Sequence, residues 1–292
     1  MDYLLDERFL QRLSRLQFMT RGRLGGRLSG LHVSPRAGMS VEFADYREYH
    51  PGDDIRYVDW NIYGRLERLL VKSFIHESDL PIYLLIDVSA SMQLGAPSKI
   101  QYVAQLALAL AHLGLHSMDR VGVFPFAHRL LASIPAQQGA SHIRRVYNTL
   151  SNLDAHDETA FEQSIMGFLS LTRETGLTLI LSDLMFPTGL EEGIARLLYR
   201  GDEVVVLRIL APEELDPKPS GTTQIVDVET GRFTNLNLGN TTLASYRARF
   251  EKHQSRIQTF LEEQRVPLFT IPTERPLEAV IFENLREGGI VR

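Results

Sequence analysis

Short apolar runs alternate with longer stretches of helical spacing along most of the chain. The short runs predict buried strands, because they are too short for helices. The predicted strands are the run from Pro81 to Asp87, Val121–Phe126, Leu130–Ile134, Leu177–Leu181, Glu203–Ile209 and Pro267–Ile271. The predicted helices are Lys99–Leu115, Ala140–Leu150, Phe161–Leu171, Leu190–Tyr199, Leu243–Gln264 and Leu277–Arg286. Strands that alternate with helices favour an α/β fold with a doubly wound, mostly parallel sheet.

One pair of predicted strands breaks this rule. Val121–Phe126 and Leu130–Ile134 flank a very short turn at Ala127-His128. Parallel neighbours need a crossover of roughly a dozen residues or more. We therefore expect this pair to be antiparallel, with one antiparallel strand at the edge of the sheet.

The pattern also divides the chain near residue 80. We expect residues 1–80 to form an N-terminal helix and a small strand-rich module, and residues 81–292 to form the sheet domain. The expected N-terminal helix is amphipathic, with apolar positions at Leu5, Phe9, Leu13 and Leu16. A hairpin inserted near 212–240 would lie apart from the main sheet or extend one edge. Trp60 indicates either buried aromatic packing or an exposed recognition surface.

Composition excludes several classes of protein. The net charge of −5 over 292 residues argues against a nucleic-acid-binding protein. The absence of cysteine excludes disulfides and thiolate metal sites. No apolar run reaches the roughly 18 residues of a membrane span, and the first residues are acidic where a signal peptide would be basic. We therefore expect a cytoplasmic protein without a membrane span.

Polar residues end the first strand of the sheet domain. The sequence P-I-Y-L-L-I-D-V-S-A-S-M puts Asp87, Ser89 and Ser91 at alternate positions, and Ser98 then opens a long helix. Extended residues with this spacing point to one side, so one carboxylate and two hydroxyls converge. Hard oxygen donors suit Mg²⁺ better than zinc. A turn in which these side chains bind backbone N–H groups is the alternative interpretation.

Two further residues complete the candidate site. T-L-I-L-S-D is a second apolar run that ends in an acid, and a parallel neighbour of the first strand would bring Asp183 beside Asp87. Thr159 lies in a polar loop before the predicted helix Phe161–Leu171, and we expect it to be the fifth ligand. A helix N-cap is the alternative role for Thr159.

These residues resemble a known site. D-x-S-x-S after a strand, a loop threonine and a later S-D are similar to the metal-ion-dependent adhesion site of von Willebrand factor A-like domains. The stretch Gly30–Lys72, with E-F-A-D-Y-R-E-Y-H-P-G-D-D-I-R-Y-V-D-W, resembles the signature of the bacterial DUF58 family. The resemblance implies a Mg²⁺ site, with Mn²⁺ or Ca²⁺ as substitutes, that binds an Asp or Glu of a protein partner. It also implies a role as an adaptor or co-chaperone for a MoxR-type AAA+ ATPase.

The function expected from the sequence is therefore a metal-dependent interaction module and not an enzyme. The enzymatic alternative is a phosphatase or phosphotransferase of the haloacid-dehalogenase type, which also has an Asp and Mg²⁺ at a strand end. That chemistry needs a second acid where this chain has Ser89. A structural subunit with a degenerate metal site is a third hypothesis. His112 and His116 have the spacing of a zinc pair, but Leu113 occupies the position of the Glu in H-E-x-x-H.

Overall fold

The structure is a computed structural model that describes residues 6–20, 42–49, 58–66, 68–75, 80–218, 221–226 and 233–292. The chain divides into two compact units. Residues 25–79 form the smaller unit, and residues 1–24 together with 80–292 form the larger one. Residues 21–41, and with them much of the signature stretch Gly30–Lys72, lie outside the described residues.

The elements follow in chain order. They are α1 (Glu7–Leu13), β1 (Glu42–Glu48), α2 (Trp60–Leu66), β2 (Leu70–Ile75), β3 (Pro81–Asp87), a 3₁₀ turn (Ala90–Gln93), α3 (Lys99–His116), β4 (Arg120–Phe126), β5 (Ile134–Gln137), α4 (Ala140–Ser151), α5 (Phe161–Leu171), β6 (Leu177–Ser182), α6 (Leu190–Arg200), β7 (Glu203–Leu210), α7 (Pro212–Leu215), β8 (Gly221–Val226), β9 (Phe233–Leu238), α8 (Asn240–Glu263), β10 (Leu268–Pro272), α9 (Leu277–Ala279) and a π-helix (Val280–Leu285).

The main sheet confirms the predicted fold class. Its six strands lie in the order β10-β7-β6-β3-β4-β5, with every neighbouring pair parallel except β4 and β5. The antiparallel strand at the edge was predicted four residues too early. Leu130 forms only an isolated bridge with Phe126, and the strand itself is β5. Its Pro135 is tolerated because an edge strand leaves one row of backbone groups unpaired.

Apolar side chains cover both faces of this sheet. Alternate residues of β3 belong to two separate core clusters, with Ile82, Leu84 and Ile86 in one cluster. Tyr83 and Leu85 belong to the other cluster. Helix α3 packs in the first cluster and is buried over most of its circumference, as its apolar sequence predicts. Both faces of β3 are therefore buried, and so is Asp87 at its carboxyl end.

The N-terminal helix belongs to the larger unit, which corrects its predicted place in the N-terminal module. Phe9 and Leu13 of α1 are buried in the same core cluster as α3. The following segment pairs with the C-terminal end of the chain through an antiparallel bridge between Phe18 and Val291. Both ends of the larger unit are thus bound to each other, and the smaller unit interrupts it in sequence.

The insertion after β7 forms a hairpin. Strands β8 and β9 pair antiparallel in a two-stranded sheet of their own. Residues 227–232, which connect the two strands, lie outside the described residues. The last predicted helix is divided into the short α9 and the π-helix. No helix in the described part of the chain is both long and apolar enough to cross a membrane.

The smaller unit contains an antiparallel pair of strands, β1 and β2, with a register shift between Phe43 and Asp45. Helix α2 lies between them in sequence. Trp60 is 59% exposed and Tyr63 is 43% exposed, with their rings in edge contact at 6.2 Å. Burial of Trp60, one of the two interpretations from sequence, is therefore wrong.

Candidate metal centre

The carboxyl ends of β3 and β6 bring the first polar groups together. These strands are parallel neighbours, so Asp87 at the end of β3 lies beside Ser182 at the end of β6. The Ser182 hydroxyl donates to Asp87 Oδ2 at 2.6 Å. The Ser89 backbone N–H donates to Asp87 Oδ1 at 2.9 Å. The contact between the Ser89 N–H and Asp87 is the turn interaction that was the alternative role for Asp87. The Asp87 carboxylate nevertheless lies at the carboxyl ends of the strands, beside Ser182.

The two hydroxyls of the D-x-S-x-S motif are in contact. Ser89 Oγ and Ser91 Oγ are 3.1 Å apart. Ser91 Oγ donates to Asp183 Oδ2 at 2.7 Å. Because Ser91 uses its one proton toward Asp183, it can only accept in the contact between the two serines. Four of the five predicted ligands therefore lie in one connected cluster.

Thr159 lies in a neighbouring loop. This loop is bound to the exit of β3, because the Ala90 N–H donates to the carbonyl of Asp157 at 2.9 Å. Thr159 is half-buried and makes no hydrogen bond to the other four predicted ligands. It is not the N-cap of α5, which is Ala160 without a side-chain cap. The alternative role for Thr159 is therefore wrong, and its role as a ligand stays a prediction.

A buried lysine joins the cluster. Lys99, the first residue of α3, is fully buried. Its ammonium group donates to Asp183 Oδ2 at 2.6 Å and to Glu214 Oε1 at 2.5 Å. Glu214 belongs to α7 at the end of β7, and its Oε2 accepts the Ala211 N–H at 2.7 Å. The polar cluster therefore extends across the ends of three neighbouring strands.

The surroundings shift the pKa values of these groups. Burial and the nearby Asp183 raise the pKa of Asp87 from 3.8 to about 7, although hydrogen bonds from Ser182 and Ser89 oppose the change. Burial by itself would lower the pKa of Lys99, but the charges of Asp183 and Glu214 outweigh it and raise that pKa. Lys99 is therefore cationic. Burial also raises the pKa of Glu214 against the effect of Lys99.

The charges in this cluster do not balance. The cluster contains three carboxyl groups, those of Asp87, Asp183 and Glu214, but only one ammonium group, which binds Asp183 and Glu214. No described Lys, Arg or His forms an ion pair with Asp87. Buried charges are normally paired or bound to metal, so the cluster has room for additional positive charge. The described residues contain no group of three His, Cys, Asp or Glu side chains arranged for a metal. A cation here would need the serine hydroxyls, and these fit a hard ion such as Mg²⁺.

Sequence reasoning missed Lys99, Ser182 and Glu214. One signal for Lys99 was available, since a cation in the first turn of a helix opposes the helix dipole and needs a nearby acid. Ser182 directly precedes Asp183 in the S-D pair of the motif, but only Asp183 of that pair was predicted as a ligand. Glu214 comes from a segment where the predicted rhythm of strands and helices stops, and no pattern connects it to Lys99.

These features describe an α/β domain with a polar, oxygen-rich cluster at the carboxyl edge of its sheet. Residues 45–259 match the model of the family described as protein of unknown function DUF58. The match covers most of the chain, and the chain therefore belongs to the DUF58 family.

Several known proteins are similar to this chain. The uncharacterized protein Rv1480 of Mycobacterium tuberculosis is 22% identical over 275 residues, which cover 92% of this chain and 86% of that protein. Among solved structures, BatB from Bacteroides thetaiotaomicron is 16% identical with a TM-score of 0.47, covering 71% of this chain and 98% of that one. The SpRpn10 VWA domain is 12% identical with a TM-score of 0.38, covering 70% and 94%. The observed strand order, and not these distant similarities, defines the architecture.

Proposed function

We propose that the cluster is a divalent-cation site through which the protein binds a carboxylate of a protein partner. The observation that carries this proposal is the buried, unpaired charge of Asp87, whose pKa is raised to about 7. A divalent ion beside it would offset the excess of carboxyl groups over Lys99. The ion would reverse the cost of burying Asp87 in its charged form.

Mg²⁺ is the ion that the donors fit best. Ser89 and Ser91 offer neutral hydroxyl oxygens 3.1 Å apart, with Asp87 and Asp183 behind them. Thr159 would add a further hydroxyl from the adjoining loop. Mn²⁺ and Ca²⁺ also accept oxygen ligands and would serve as substitutes. With few charged ligands, the ion would keep affinity for an Asp or Glu from outside.

In this proposal the protein is an interaction module without catalytic activity. The resemblance of its motif to metal-ion-dependent adhesion sites supports an acidic partner group. The resemblance to its family further suggests a MoxR-type AAA+ ATPase as the partner, with this chain as adaptor or co-chaperone. A cytoplasmic location goes with such a partner.

Thermal unfolding with and without the ion tests the site. An ion that binds only the folded state stabilises it by about 2.7 kcal/mol at 100 times its Kd. We expect Mg²⁺ or Mn²⁺ at that excess to raise the Tm of the wild type by roughly 4 °C, and to leave the Tm of Asp87→Ala unchanged. Asp202→Ala is the matched control, because Asp202 is an equally buried acid at the other edge of the sheet. Equal shifts in wild type and Asp87→Ala would remove the assigned site.

Binding to a purified MoxR-type ATPase tests the partner. We expect binding in Mg²⁺ that is lost in EDTA and in Asp87→Ala but kept in Asp202→Ala. Binding that ignores both EDTA and the Asp87 substitution would contradict a bridging carboxylate. Turnover of a phosphate ester that disappears in Asp87→Ala would instead favour the phosphatase, and a wild type without any ion response would favour a degenerate site.

A further inference from the structure

Lys99 has a contact pattern that the proposed function does not use. Its ammonium group lies between Asp183 Oδ2 and Glu214 Oε1, and its side chain has no exposed surface. A cation at the first position of a helix faces the positive end of the helix dipole. Both the burial and the dipole oppose a charge here, so the two carboxylates are what holds it.

Asp183 is shared between this lysine and the predicted metal ligands. Its Oδ2 accepts from Ser91 Oγ at 2.7 Å as well as from Lys99, and its Oδ1 accepts the Met185 N–H at 3.0 Å. Any ion at the serine hydroxyls would therefore act on the same carboxylate as Lys99. Two cations on one carboxylate repel each other and compete for its charge.

Glu214 competes for the same ammonium group from the other side. It connects Lys99 to the end of β7 through the Ala211 N–H and to α8 through Tyr246, whose hydroxyl donates to the Glu214 carbonyl at 2.9 Å. A charged Glu214 takes part of the ammonium away from Asp183. A neutral side chain at this position would leave Lys99 to Asp183 alone.

We propose that Lys99 is the positioning residue that sets the ion affinity of this site, by neutralising Asp183 to an extent that Glu214 controls. This inference rests on the proposed function, since it needs an ion at Asp87, Ser89 and Ser91. Lys99 acts through Asp183 and does not itself bind the ion. The site would bind the ion weakly when Lys99 is held by Asp183, and tightly when Glu214 draws it away.

Substitutions at Lys99 and Glu214 give a series of variants that separates this role of Lys99 from a purely structural role. Glu214→Gln removes the competing carboxylate and keeps Lys99. Lys99→Met/Glu214→Gln removes both partners and leaves Asp183 without a cation. The double variant keeps the same formal charge as the wild type, because one acid and one base are removed together. Lys99→Met alone leaves two buried acids, Asp183 and Glu214, without their cation. If the Lys99→Met protein does not fold, the double variant still tests the role of Lys99.

The measurement is the Kd for Mn²⁺ alone, obtained from the electron paramagnetic resonance signal of the free ion. We expect Glu214→Gln to bind Mn²⁺ about tenfold more weakly than the wild type, and the double variant to bind about tenfold more tightly than Glu214→Gln. Stability is measured separately by urea unfolding in EDTA, because a structural role would change stability and leave the Kd unchanged.

The ion pair between Arg200 and Asp202, at the amino ends of the strands, provides the control. Arg200→Met/Asp202→Asn removes an acid and a base whose contact is 2.5 Å. We expect its Kd for Mn²⁺ to stay within about twofold of the wild type. Equal Kd values for Glu214→Gln and the double variant, with a wild type that binds Mn²⁺, would overturn the role of Lys99 only. A wild type that does not bind Mn²⁺ would overturn the proposed function and this inference with it.

Discussion

The main sheet buries one aspartate at the amino ends of its strands, which we call the amino edge, and another at the carboxyl ends, the carboxyl edge. The two carboxyl groups differ in whether a cation lies beside them. At the amino edge, Asp202 precedes β7 and is almost fully buried. Arg200 binds its Oδ2 through Nη2 and Nε, and the Gly176 N–H donates to its Oδ1 at 3.1 Å. Burial raises the pKa of Asp202, but the hydrogen bonds and the charge of Arg200 oppose that change. This acid is paired and satisfied.

At the carboxyl edge, Asp87 receives hydrogen bonds without a cation. It accepts from the Ser182 hydroxyl and the Ser89 N–H, and the charge that affects its pKa is that of another acid, Asp183. Burial therefore raises the pKa of Asp87 to about 7. The comparison separates an acid whose charge is paired within the fold from an acid whose charge has no described cation beside it. Perturbed acids of the second kind are candidates for functional sites.

The largest effect on stability is expected from breaking the pair at the amino edge. Arg200→Met leaves Asp202 buried without its cation, and it also removes the guanidinium from the face of Phe168, 4.8 Å from the ring centroid. We expect a loss of about 3–5 kcal/mol in the free energy of unfolding, measured in urea.

An exposed pair provides the control for this prediction. Arg256 binds Glu191 at the surface, so Arg256→Met is expected to cost less than about 1 kcal/mol. Similar losses in the two variants would show that burial at the amino edge does not matter. The Tm shift caused by Mn²⁺ should be the same in Arg200→Met as in the wild type.

The second prediction concerns Asp87 in the absence of an ion. The folded state holds a proton on Asp87 up to about pH 7, whereas the unfolded chain releases it near pH 3.8. The folded state therefore binds more protons between these values, and stability falls as pH rises, by up to about 1.4 kcal/mol per pH unit. The stabilisation that comes from the raised pKa of Asp87 is fully present below about pH 4 and is lost as the pH rises through about 7.

Asp87→Asn removes this dependence. In EDTA at pH 7.5 we expect it to be more stable than the wild type by about 1–3 kcal/mol, with the difference disappearing toward pH 4. Asp202→Asn is expected to have the opposite sign at pH 7.5, because it leaves Arg200 without its acid. Urea unfolding at several pH values measures both variants. A destabilised Asp87→Asn at pH 7.5 would contradict an uncompensated charge at the carboxyl edge.

The sequence predicted the backbone of the site better than its charges. A parallel arrangement of two apolar runs that end in acids was enough to bring Asp87 and Asp183 to one edge. The apolar circumference of α3 predicted its burial against the sheet. These features depend on local patterns of about one element each, and such patterns are visible in a single sequence.

The contacts that the sequence did not reveal join distant parts of the chain. Lys99 and Glu214 are 115 positions apart and meet only because β7 lies two strands away from β3. The edge strand was misplaced for a different reason. Leu130 and Leu131 form the stronger apolar run, but they pack on the core clusters as a loop, while the half-buried alternation of β5 forms the strand. Burial of apolar residues in loops cannot be distinguished from strands by periodicity.

The smallest expected effect comes from the hydroxyl that supports Asp87. Ser182 Oγ donates to Asp87 Oδ2 at 2.6 Å and accepts the Leu184 N–H at 2.9 Å. Ser182→Ala should cost about 1 kcal/mol in EDTA at pH 8, and less at pH 5.5, where Asp87 is protonated and a hydrogen bond to its charged form is not lost. The titration of Asp87 should also move above pH 7, because this hydrogen bond lowers its pKa.

Ser164→Ala is the matched control, since the buried Ser164 hydroxyl donates to the neutral carbonyl of Ala127 at 3.2 Å and the cost of its loss should not depend on pH. Urea unfolding at the two pH values decides the matter: a cost for Ser182→Ala that is equal at both would mean that Asp87 stays neutral at pH 8, and the contrast with Asp202 would then lie in geometry alone and not in charge.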